Sequence, residues 1–276
     1  MKILALITNT IRELSAKATL VVLLAISTLV ILGTGLAVST HEAEGGVTLQ
    51  VFGNPITPAV PADKIAELIW AMQSGVAGGL FVGVVLFGVF ATAGLIPDAL
   101  EKGTVDLYLS KPLPRWELLL GKYLGAVVVM LICILYCIGA IWLIFGIRTG
   151  VWNINFLLAA FTTTFVFACL FSIVVFLGVL FRNMAIPIIG AYLYLLVIGG
   201  ILESRQQGLY QLSGNSVFRG IVDGLYYLFP QLGAMQQNVV KQILHQPMNW
   251  EPFAQSFASS ALLFAGAVAL LRKKDF

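Results

Sequence analysis

The stretch LEKGTVDLYLSKPLPRWELLLGKYLG, Leu100 to Gly125, lies between two long apolar runs. From Asp98 to Lys122 the chain carries Asp98, Glu101, Lys102, Asp106, Lys111, Arg115, Glu117 and Lys122, an island of ions in a sequence that is 59% hydrophobic and 11% charged. That charged fraction is less than half the share of about 25% found in soluble chains. Outside the island the residues read as membrane-embedded segments. Crossing a bilayer as helix takes about 20 apolar residues. Six segments meet the requirement without a Lys, Arg, Asp or Glu: roughly Thr19–Val38, Met72–Ile96, Tyr123–Ile147, Leu157–Leu180, Met184–Leu202 and Pro252–Leu271. The island therefore connects the second span to the third. The fold class is all-α, a polytopic membrane protein with six transmembrane helices forming a single domain over residues 1–276.

Basic residues orient the spans. One set of loops holds Lys2, Arg12, Lys17, Lys102, Lys111, Arg115, Lys122, Arg182, Arg272, Lys273 and Lys274, and the other holds Lys64, Arg148, Arg205, Arg219 and Lys241. The imbalance places both termini and the 98–122 island in the cytoplasm, the orientation of a multi-pass protein of the cytoplasmic (inner) membrane. The first apolar run is longer than the 7–15 residues, roughly, of a signal core and follows a polar lead, so it reads as an uncleaved anchor.

Ile3, Ile7, Ile11 and Leu14 recur at helical spacing, which suits an interfacial helix over residues 1–18 or a basic flank that orients the first span. Residues 39–71 read as a modest exoplasmic loop, and Phe181-Arg182-Asn183 as a tight hairpin. Residues 203–251 form a long exoplasmic loop. Its apolar piece Ile221–Phe229, closed by Pro230, is too short to span and docks or dips at the outer face.

Several chemistries are excluded. No Gly-x-x-x-x-Gly-Lys-Ser/Thr loop is present, so nothing in the chain cradles a nucleotide. Neither Ser74-Gly75 nor Ser213-Gly214 carries the Gly two positions before the serine that an intramembrane serine protease uses, and His41 and His245 fall in loops. No catalytic residue is assigned. The apolar runs hold no ionisable relay of the kind proton-driven carriers keep. Cys133, Cys137 and Cys169 lie inside apolar runs and read as packing residues. No metal site, disulfide framework or nucleic-acid partner is implied.

Ala71, Gly75, Gly79 and Gly83 place a small residue at every fourth position of the second span, so another backbone can approach closely. The contact is with a partner helix beside a pathway, or with a neighbour in the same subunit. Gly121 and Gly125 repeat the spacing. Pro187 is expected to kink the fifth span, and Tyr192 and Tyr194 bring polar tips that either line a pathway or anchor packing. In the island, Pro97 closes the second span and Asp98 with Glu101 suggests a helix start in capping-box style. Pro114 suits the first position of the next helix. The outcome is an amphipathic elbow held at both ends by spans.

The order of residues in the elbow, Glu101, Gly103-Thr104, Asp106-Leu107, Leu109-Ser110, Lys111-Pro112, Arg115 and Leu119-Leu120-Gly121-Lys122, resembles the signature of ABC-2 exporter permeases: acidic-x-Gly-Thr, a leucine run, Ser-x-Pro, Arg, then Leu-x-Gly-Lys. It is most similar to the branch with permeases of multicopper-enzyme and nitrous-oxide-reductase maturation, although no Met, His or Cys cluster here supports copper handling. The resemblance implies the ABC-2 (type V exporter-like) permease architecture, and a non-catalytic subunit that pairs with a second permease subunit, as homodimer or heterodimer, and with two copies of an ABC ATPase. This chain would bind no cofactor; ATP and Mg would belong to the ATPase. The coupling segment would comprise Asp98, Glu101, Lys102, Gly103, Thr104, Asp106, Ser110, Lys111, Pro112 and Arg115. Gly75, Gly79, Gly83, Pro187, Tyr192 and Tyr194 would border the pathway. The expected activity is export of an amphipathic or apolar substrate. The alternatives are a membrane scaffold that transmits force to an exoplasmic protein and a stand-alone channel or carrier.

Overall fold

The computed structural model describes residues 2–16, 18–43, 46–51, 54–55, 61, 64–100, 114–206, 208–212 and 216–273. The central coupling positions Glu101, Lys102, Gly103, Thr104, Asp106, Ser110, Lys111 and Pro112 lie outside the described residues.

Six helical stretches are long and apolar enough to cross a bilayer. The chain opens with α1 (Lys2–Ala16) and the first span, α2 (Ala18–Ala37). The second span is α3 (Ile65–Thr92), extended by the short α4 (Leu95–Ala99). The third and fourth are α5 (Arg115–Thr149) and α6 (Ile154–Phe181). The fifth combines α7 (Ala185–Leu193), a π-helical stretch at Tyr194–Ile198 and α8 (Gly199–Glu203). After α9 (Leu209–Leu212), α10 (Ser216–Leu228) and α11 (Leu232–Ile243) comes the sixth, α12 (Glu251–Lys273). With six crossings the two chain ends share a face with the elbow. We call it the elbow face and the opposite one the loop face.

The helix α6 is apolar around its whole circumference, the pattern of a helix enclosed by others. It packs against α5, α7, α11 and α12. Phe156, Phe167 and Phe171 on α6 and Phe145 on α5 are fully buried. Local chemistry sets the turns around it. Asn153 caps α6, its side-chain oxygen accepting from the Asn155 amide at 3.1 Å. Gly150 ends α5 at φ 72°, a left-handed conformation that glycine adopts without strain. Arg182 takes the corresponding position after α6 at φ 52°.

Four expectations change. Pro97 is the third residue of α4, so the helical path continues past it, and Asp98, next in the same turn, opens no new helix. Pro114 is the N-cap of α5, one position before the first helical residue. Pro187 is the third residue of α7, where amides have no helical acceptor in any case, and α7 runs through it. The irregularity of the fifth span is the π-helical stretch further along. Residues 39–71 are not simply loop: β1 (Val38–Ala43), β2 (Gly46–Val51) and β3 (Asn54–Pro55) form an antiparallel sheet, with Thr40 opposite Leu49 and Val51 opposite Asn54. The helical framework stands with this small sheet added on the loop face.

Candidate functional site

On the elbow face, four chain segments converge at the start of α5. The glycine spacing there is a seat for α1: a Cβ on Gly121 would lie 2.5 Å from the Leu6 Cβ, and one on Gly125 2.5 Å from the Thr10 Cβ. Leu6, Thr10 and Leu14 of α1 are accordingly buried, and Ile7 and Ile11 flank them. Beside this seat the buried Lys122 ammonium donates to the Glu13 carboxylate, an ion pair across the two helices. Arg115 donates from Nη1 to the Leu271 carbonyl at 3.0 Å, placing a cation at the carbonyl-rich end of α12. Asp98 folds back over Gly94, where a Cβ would lie 3.2 Å from its Oδ2 and 3.3 Å from the Met184 sulfur at the start of the fifth span. Asp98 and Arg115, the described members of the expected coupling set, thus stand at the end of α4 and the start of α5, where α1 and the end of α12 also pack.

The second expected set divides. Gly75, Gly79 and Gly83 on α3 meet no heavy atom within 4 Å of an added Cβ, so among the described residues this stripe seats no neighbour. Gly79 and Gly83 instead floor a slot of about 370 Å³ between α2 and α3, walled by side chains such as Leu23, Ile26, Val30, Val76, Leu80 and Phe87, with Cys137 of α5 behind. The tyrosine hydroxyls are committed elsewhere. Tyr192 donates to the Leu86 carbonyl of α3 at 2.7 Å, and Tyr194 to the Pro230 carbonyl at 2.6 Å. Pro187 is buried in α7.

On the loop face the fifth span is clipped to a helical cap. A Glu203 carboxylate oxygen accepts from the Gly233 and Ala234 amides at 2.8 and 3.0 Å, an anion on the N-terminus of α11. A Cβ on Gly233 would collide with that carboxylate, so a side chain there would push Glu203 off the two amides. Arg205 donates from Nε to Asp223 of α10 at 2.9 Å and lies over the Tyr226 ring, its carbon 3.4 Å from the centroid. The Tyr210 hydroxyl donates to the same Asp223 oxygen. The Tyr210 bond and then Arg205 hold the Asp223 carboxyl below the usual carboxylate range. A buried knot ties neighbouring elements: Asn153 donates to Gln73 Oε1 at 2.9 Å and to the Ile243 carbonyl at 3.1 Å. Among the described residues, no three His, Cys, Asp or Glu side chains gather as a metal site.

Sequence reading missed Glu13, Glu203, Arg205, Asp223, Gln73 and Asn153. Their partners are 30 or more residues away in most cases, and α11 was read only as part of a loop. The usable signal was the apolar periodicity of Leu232, Met235, Val239 and Ile243, all buried on one face of α11.

No curated protein shows significant similarity to the chain. The family described as ABC-2 family transporter protein matches residues 7–276. That match spans the helices whose ends build the elbow junction, the six apolar spans and the loop-face cap. The chain therefore belongs to the ABC-2 transporter permeases, multi-pass membrane components of transport systems that partner with an ABC ATPase.

Proposed function

We propose that this chain is the non-catalytic permease subunit of an ABC exporter in the inner membrane, with the elbow face in the cytoplasm. Two copies of a separate ATPase bind and hydrolyse ATP with Mg, and their closure presses on residues 98–122 of each of two permease subunits. The observation that carries this reading is the convergence at the elbow. The segment leaves α4 and enters α5, the Glu13–Lys122 pair joins α1 to α5, and Arg115 joins α5 to the end of α12. A push on the elbow is delivered to four elements at once, the requirement for a rigid-body switch between inward and outward arrangements. Spans free of Lys, Arg, Asp and Glu and the apolar slot between α2 and α3 favour an amphipathic or apolar cargo over a strongly ionic one.

The test is co-reconstitution of permease and ATPase. Glu101→Arg and Gly103→Trp are expected to leave the permease inserted while abolishing transport and its stimulation of ATP hydrolysis. Normal ATPase binding and transport in both variants would overturn the assignment. A second reading, a scaffold that passes force to an exoplasmic protein, is favoured by the firm attachment of the α10–α11 cap to the fifth span through Glu203 and Arg205. Stimulation of ATP hydrolysis by a small amphipath supports export, whereas stimulation only by a protein supports the scaffold.

A further inference from the structure

Among the described residues, no cation meets the Glu203 carboxylate. One of its oxygens accepts from the Gly233 and Ala234 amides, and the other makes no hydrogen bond among the described residues. Arg205, two positions on, is bound to Asp223 and lies over the Tyr226 ring. Glu203 lines a cavity of about 110 Å³ between α3, the fifth span and α11, with Phe81, Tyr194, Leu232 and Gln236 around it. Gly199 and Gly200, directly after the π-helical stretch, put no side chain into that space. A single water needs roughly 10–15 Å³ of such room, so the cavity takes a group of several atoms. The Gln236 amide has no hydrogen-bond partner among the described residues either. Glu203 and Gln236 are only half-buried, so a solute can reach both.

The chemistry of the lining narrows the ligand. A metal ion such as Ca²⁺ takes roughly six to eight oxygens. Here only Glu203, Gln236 and Tyr194 offer side-chain oxygen, and the Tyr194 hydroxyl is bonded to the Pro230 carbonyl. An ammonium group asks for fewer acceptors. Its N–H donors suit the free Glu203 oxygen and the Gln236 carbonyl, and a short carbon chain suits the apolar residues Phe81, Leu195 and Leu232. A hydrogen bond from an ammonium to a carboxylate is about twice as strong as one between neutral groups. A phospholipid headgroup would bring its phosphate as well. No Lys, Arg or His lines the cavity, so that phosphate would stand unneutralised beside Glu203. The fitting occupant is an amine without a phosphate.

We propose that this cavity binds an aliphatic ammonium ion, with Glu203 as its counter-ion. The site does not rest on the exporter reading and is tested on the permease alone. The full chain in dodecyl maltoside is titrated with n-butylammonium chloride, and with 1-butanol as the uncharged match, by calorimetry and hydrogen exchange. Butylammonium is expected to bind saturably and to slow exchange of the α11 amides from Gly233 to Gln236, and butanol to do neither. Glu203→Gln keeps a carbonyl for the two amides and removes the charge. It should weaken butylammonium binding about tenfold or more, the loss of one charge-assisted hydrogen bond. Gln236→Leu leaves Glu203 and its two amides in place and should weaken binding about fivefold. Glu251→Gln alters an exposed carboxylate at the start of α12 on the same face and should leave binding unchanged. A thermal melt should show all three variants folded. Absence of saturable binding, equal binding of butanol, or the same affinity in the two lining variants as in Glu251→Gln overturns the proposal. Since no ATPase is present, that failure is distinct from failure of the coupling test at Glu101 and Gly103.

Discussion

The Lys122 side chain is only 3% exposed and faces Glu13, 26% exposed, across the seat of α1. A buried ammonium is tolerated only with its anion close by, since removing one partner of such a pair costs about 3–5 kcal/mol while replacing both with apolar or neutral groups is often nearly neutral. Glu13→Leu is therefore expected to lower stability by an amount in that range, and Glu13→Leu with Lys122→Met to recover most of it, as read by thermal unfolding in detergent. Asp223 works at the opposite face by a different balance. Its folded-state pKa is depressed, chiefly by the Tyr210 hydroxyl and next by Arg205. Its contribution is fully present above the ordinary value of about 3.9 and disappears as pH falls through the lower folded value. Hydrogen exchange of the α10 amides should stay protected down to about pH 4 and rise below it. Asp223→Asn should raise exchange at neutral pH and flatten the profile.

At the scale of elements, glycines with the same spacing do opposite things. Gly121 and Gly125 are filled by α1, whereas Gly75, Gly79 and Gly83 face open space. Gly121→Leu should detach α1 from α5, exposing the α1 backbone to hydrogen exchange, while Gly79→Leu should leave that exchange unchanged. The spacing is legible in the sequence because it needs only a helical period; what fills it depends on a helix more than 100 positions away in the Leu6–Gly121 case. The six spans were legible for a related reason, since uncharged runs of bilayer length have few other uses. The small sheet was harder to see. Gly45-Gly46 before Val47, Leu49 and Val51 is a hairpin signal of modest strength, diluted by the Pro and Gly around it. The π-helical stretch at Tyr194–Ile198 has no such signature, and Pro187 drew the expected irregularity to the wrong turn. Glu203 escaped notice because its role depends on the α11 amides, which no local pattern places beside it.

Across the whole molecule, the six spans put both chain ends and the elbow on one face. Single cysteines at Lys102 and at Arg219 test the side: a membrane-impermeant maleimide on intact cells should modify the second and spare the first until the membrane is opened. Reversed labelling would turn the proposed motor attachment to the wrong compartment. The family was legible from the elbow because its motif sits in one continuous stretch, while the slot and the loop-face clip emerge only when separate helices are brought together. The third span adds a mechanical property of its own. As an uninterrupted helix of 35 residues, about 50 Å long, α5 overreaches the hydrocarbon core at both ends. It starts at the Arg115 contact and ends four residues before Asn153, whose amide grips Gln73 and Ile243. A stiff strut mounted this way works like a tiller: a tilt of about 10° at one rim carries the far tip some 9 Å, by roughly the helix length times the angle. The loop-face knot would travel with it, so a stroke begun at one face would be felt at the other without any solute having crossed.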